Sequence, residues 1–163
     1  MERSESIKAV GAAAILGLAA FLTYRFVTRG SGVSEQAFFF DVSEKKLFKA
    51  ARSSVPPIRG LNGEEEDGLR ALVISTNGDA ADKTAWKVAY VEKYSPELKR
   101  QMQNAQQTGA APEMGRALAL QHRFVRRLSD TQWFAMDSPE AERIVSEWAL
   151  PGPGGVTPVV CSP

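Results

Sequence analysis

The sequence predicts an α+β domain with a mainly antiparallel sheet and two or three helices, carried behind an N-terminal transmembrane helix. Three observations predict it. The stretch IKAVGAAAILGLAAFLTYRFV opens the chain and is apolar almost throughout. LRALVIST and WKVAYVEKY are rich in β-branched, aromatic and apolar residues, the composition of strands. Ser-Pro-Glu occurs at 95–97 and again at 138–140, each time ahead of a helical pattern. The resulting order of strands, helices, strands and helix is that of an α+β fold. The expected organisation is a tail over 1–8, a transmembrane helix over 9–28, a linker over 29–36 and a globular domain over 37–163.

The first element rests on Ala9 to Leu22, an uncharged run. With Arg25 snorkelling, the apolar segment reaches Val27, about 19 residues or roughly 28 Å of helix. A hydrocarbon core of about 30 Å is just within reach. A cleaved signal would need small residues at a cleavage site, and Thr23, Tyr24, Arg25, Phe26 and Val27 do not supply them. Tyr24, Arg25 and Arg29 are expected at the membrane interface. Ala9, Ala13 and Gly17 lie four apart on one helix face, which permits close approach of a second helix. An oligomer through the helix is one partnership that this stripe would serve. Arg3 and Lys8 before the helix balance Arg25 and Arg29 after it, so the positive-inside count is a tie. The short tail is the layout of a signal anchor, which puts the domain on the extracytoplasmic (periplasmic) side.

AFFFDVSEKKLFKAA reads as two short strands around a turn at Ser43, Glu44 and Lys45, with Phe38, Phe40 and Val42 on one face. SSVPPIRGLNGEEEDG reads as an exposed loop with an acidic tip at Glu64 to Asp67, since Pro56 and Pro57 suit neither sheet nor helix. Leu69 to Thr76, apolar on both faces, is expected to lie centrally in the sheet. Trp86 to Tyr94 follows as a strand, with Trp86, Val88 and Tyr90 on one face. SPELKRQMQNAQQTG is a helix capped by Ser95, begun by Pro96 and stopped by Gly109. Its apolar face, Leu98, Met102 and Ala105, is narrow. APEMGRALALQ adds a short helical segment. HRFVRRLSDTQWFAM reads as a hairpin around Ser129 to Gln132. SPEAERIVSEWAL is a helix with Ile144, Val145 and Trp148 inward, and Val159 to Cys161 form a last strand.

Composition narrows the function classes. A net charge of +1 gives no reason to expect nucleic acid as a partner. One histidine, His122, and one cysteine, Cys161, fall short of a zinc site's usual ligand set. Cys161 is expected to be a small packed hydrophobe. GLNGEEEDG is acidic and lacks Gly-Lys-Ser/Thr, so it would repel phosphate; it also lacks the alternating acids of a calcium loop. Arg116, Arg123, Arg126 and Arg127 with His122 make one basic cluster, which a strand would divide between two faces. No site for catalysis, metal or cofactor is expected.

The leading expectation is a membrane-anchored accessory or assembly subunit. Its partners would be the lipid bilayer and other membrane or envelope proteins. An apolar helix ahead of a small α+β domain is also the outline of pilins and pseudopilins. A filament or secretion component is the alternative, although no acid falls between Lys8 and Glu35 where such proteins carry a glutamate.

Overall fold

The structure, a computed structural model, describes residues 34–163 other than 64 and 153, together with Leu18, Ala19, Phe21 and Thr23. The chain divides into two compact units at Val33/Ser34. In the first, the four described residues are helical. Among the described residues, no helix is long and apolar enough to cross a membrane.

The second unit is α+β, as the order of elements predicts. Its strands are β1 (Gln36–Asp41), β2 (Lys46–Ala51), β3 (Gly68–Ser75), β4 (Trp86–Tyr94), β5 (Arg123–Arg126), β6 (Phe134–Ala135) and β7 (Val159–Val160). Its helices are α1 (Pro96–Thr108), α2 (Arg116–Gln121) and α3 (Pro139–Glu147). All strand pairs are antiparallel, in the order β2-β1-β3-β4-β5-β6. β7 joins β3 at Ile74 and Ser75. β4 already occupies the other edge there, so β7 shares an edge of β3 with β1.

Two apolar clusters hold the sheet. Phe38, Leu69, Ala71, Val73, Val91 and Cys161 are buried on one face, with Phe40, Trp86, Val88 and Trp133 packed against them. Each Val, Leu or Phe side chain fully taken out of water there stabilises by about 1.5–3 kcal/mol. On the other face, Val125, Ala141 and Ile144 are buried with Tyr90, Phe134, Met136 and Val145. α3 contributes Ala141, Ile144 and Val145 here, positions three and four apart on one side of a helix. Tyr90 is half-buried in this cluster, and burial, followed by the charge of Glu92, pushes its phenol up to about 12.

Three expectations need correction. Val42 does not continue the Phe38–Phe40 face; β1 ends at Asp41 and Val42 is exposed in the turn. The proline loop is not wholly exposed: Val55 and Pro56 are buried, and the Pro56 carbonyl accepts from Tyr94 N at 3.1 Å. Trp86, Val88 and Tyr90 do not share a face. Tyr90 pairs with Leu72 and Val88 with Val73, so Ala89 is an extra residue in β4. A bulge of one residue reverses the alternation beyond it. Val91 therefore joins Trp86 and Val88, while Tyr90 turns to the α3 side.

Candidate interaction surface

The Ala89 bulge divides β4 into two halves. β5 pairs with β4 only from Val91 to Tyr94. The half of β4 before the bulge, from Trp86 to Ala89, therefore has no strand on that edge among the described residues. A cleft of about 510 Å³ opens beside it. Ile74, Val88, Ala89, Leu128, Ile144 and Trp148 give it apolar walls, and Lys87, Arg127 and Glu147 stand at its margin. That volume is in the range of small-molecule pockets and of grooves that take a peptide side chain. Leu128 is 38% exposed there.

Charged partners fix the cleft's rim. Arg127 donates from Nε to Glu147 at 2.5 Å and from Nη1 to Asp130 at 3.1 Å. The Glu147 hydrogen bond, foremost, holds the guanidinium charged, and Arg127 in turn holds the Glu147 carboxyl below its ordinary range. This pair ties the β5–β6 loop to the end of α3.

The basic cluster divides between faces as the strand pattern implies. Arg123 pairs with Glu92 at 3.1 Å, and Arg127 is neutralised as above. Arg126 goes to the opposite face. Its guanidinium carbon lies 4.9 Å from the Trp133 ring centroid, and Lys93 Nζ lies 4.4 Å from the same ring. Sequence reading did not join Lys93 to this group. Lys93 shares the Val91 face by alternation, and the β4–β5 register, which sets Val91 opposite Arg126, is what brings it there.

His122 ends α2 and closes onto α1. Its Nδ1 is 2.8 Å from Ser95 Oγ, while that oxygen accepts from Leu98 N at 3.1 Å. The Ser95 backbone N–H also donates to the His122 carbonyl at 2.8 Å. Ser95 is both helix cap and link between two helices. Cys161 is buried, donates its backbone N–H to the Val73 carbonyl at 2.9 Å, and has its thiol pushed up by burial. Glu65 and Glu66 at the acidic tip are exposed, and Glu66 pairs with Lys99 at 2.6 Å.

Asp41 was not foreseen. It is fully buried, and its carboxylate accepts from Glu44 N at 2.7 Å and Leu61 N at 2.5 Å. Asp67 accepts from Ser43 N at 3.1 Å beside it. The two carboxylates pin the 59–67 loop to the β1–β2 turn. An Asp two and three residues before Ser43 and Glu44 is the sequence signal of such a turn. Ala9, Ala13 and Gly17, and Tyr24, Arg25 and Arg29, which were expected at a membrane interface, lie outside the described residues.

Fold and surface define a small α+β domain with a seven-stranded antiparallel sheet. No family model matches the chain, and no curated protein or solved structure matches it.

Proposed function

We propose that the chain is a single-pass membrane protein whose domain acts as an accessory or assembly subunit, docking other proteins of a membrane or envelope complex from the extracytoplasmic side. The observation that carries this reading is at the N-terminus. Leu18 and Phe21, helical residues of the uncharged run, are 60% and 54% exposed. Both belong to a run, Ala9 to Leu22, that carries no charge, and lipid is the surrounding that such a run fits. In this reading Ala9, Ala13 and Gly17 form the side that packs against another helix, and Tyr24, Arg25 and Arg29 sit at the headgroups.

The unpaired half of β4 is the domain's docking edge. Its backbone N–H and carbonyl groups are of the kind that take an added strand, and the apolar cleft alongside receives alternate side chains. The occupant is an extended segment of a partner protein.

Membrane retention and co-purification test the two halves separately. The full chain should stay in the membrane pellet through a carbonate wash, while a chain beginning at Ser34 should not. Leu128→Glu should remain in the pellet yet lose the proteins that co-purify with wild type in mild detergent. Release of the full chain by carbonate would sink the anchor. Unchanged partners for Leu128→Glu would sink the cleft.

A further inference from the structure

We propose that Lys93, Arg126 and Trp133 form a binding site for a carboxylate carried by an acidic segment of a partner protein. The proposal rests on the docking reading above and names what the partner presents. Val91 faces Arg126 across the β4–β5 ladder and Lys93 faces Phe124. Lys93 and Arg126 are therefore diagonal neighbours on one face, close enough to interact. Both reach the Trp133 indole, at 4.4 and 4.9 Å from its centroid.

The arrangement holds two cations together without an answering anion. Neither has a carboxylate partner among the described residues, whereas Arg123 has Glu92, and Arg127 has Asp130 and Glu147. Arg126 donates from Nη1 to the Asp130 carbonyl, and its Nε is buried without a partner. Burial first, and then the charge of Arg126, push the Lys93 amine below its ordinary value. A carboxylate between them would relieve the repulsion and accept charge-assisted hydrogen bonds.

The number of charges selects the ligand. Anionic membrane surfaces are read by clusters of about 4–8 basic residues, and nucleic acid by runs of phosphate contacts. Here two cations meet at one indole, in a chain of net charge +1. One carboxylate matches them. The indole adds an apolar plate for the residue beside that carboxylate, the role of aromatic anchors at interfaces.

The test uses the full chain in detergent micelles and in lipid nanodiscs, with isotope-labelled lysine and tryptophan. The probes are acetyl-Leu-Glu-amide and its acetyl-Leu-Gln-amide counterpart. The Lys93 methylene and Trp133 indole signals should shift saturably with the glutamate probe and stay in place with the glutamine probe. Bound carboxylate should raise the Lys93 titration midpoint toward the ordinary lysine value, because a nearby anion favours the charged amine. Arg126→Gln should weaken binding about tenfold or more, and Arg126→Lys should restore part of it. If Arg126→Gln does not fold, Lys93→Gln read at the Trp133 indole carries the same expectation. Equal shifts with both probes, or undiminished binding in folded variants, overturn the proposal. So does a Lys93 shift that follows the phosphatidylglycerol content of the nanodisc and ignores the glutamate probe, which assigns the site to lipid. Membrane retention and co-purification are separate readouts, so this site can fail while the docking reading stands.

Discussion

Gly60 sits where a side chain would strike both carboxylates that hold the 59–67 loop. A Cβ built there falls well inside contact distance of Asp67 Oδ1 and Asp41 Oδ2. The Asp41 carboxylate is itself held by Glu44 N and Leu61 N, so it cannot retreat without losing a hydrogen bond. Gly60→Ala should therefore destabilise the domain by about 1–3 kcal/mol, the size of an overpacking penalty. Gly115→Ala is the control, since nothing lies within 4 Å of a Cβ there. Its only cost should be the poorer Ala cap at the N-cap of α2, under about 1 kcal/mol. Guanidinium denaturation midpoints of the two variants decide the point. Equal midpoints would mean that the loop moves aside and that Asp41 does not pin it.

The helices show what local sequence can settle. Ser95 accepts from Leu98 N and Ser138 from Ala141 N, each with proline next in the chain. Gly109 ends α1 with φ at 73°, a left-handed conformation that glycine adopts without strain. These signals act over a few residues, which is why both helix starts were legible. The link from Ser95 to His122 was not legible, because the two are distant in sequence and meet only when α2 docks. Ser95→Ala removes the cap together with the hydroxyl's contact to His122 and should cost about 1 kcal/mol or more. His122→Ala, which leaves the cap in place, should cost less. Thermal unfolding of both variants separates cap from link; a larger loss in His122→Ala would mean that the helix-to-helix contact outweighs the cap. The strands tell a similar story with one exception. β4 begins and ends where its composition predicts, yet its faces were misassigned beyond Ala89. Nothing in KVAYV marks Ala89 as the extra residue; the bulge exists because β3 supplies one residue fewer over the same span.

Across the whole domain, acid stability follows from the carboxylates. Asp41, Asp82, Glu97, Asp130 and Glu147 are all held below their ordinary values. For Asp41 the Glu44 N–H is the largest cause; for Glu147 it is the Arg127 guanidinium. A depressed folded value means that the ionised form stabilises the fold. That contribution is complete above the ordinary values of 3.8 for aspartate and 4.5 for glutamate. It is lost as pH falls through the lower folded values. Denaturation midpoints should be flat from neutral pH to about 5 and then drop steeply. Asp41→Asn should be less stable than wild type at neutral pH, with the gap narrowing below 3.8. A gap that stays constant down to about pH 2 would refute the role given to Asp41.

Sequence by itself determined the α+β class of the domain, the starts of α1 and α3, the β1–β2 and β5–β6 hairpins, and the central place of Leu69 to Ser75, because each rests on periodicity or on turn and cap chemistry within a few residues. Only the tertiary structure decided that β7 shares an edge of β3 with β1, that Pro56 is buried, and that Lys93 joins Arg126 at Trp133. Each of these depends on pairing between residues far apart in the chain. In β4 the pairing inserts one residue at Ala89, and a period of two turns that single residue into an exchange of faces.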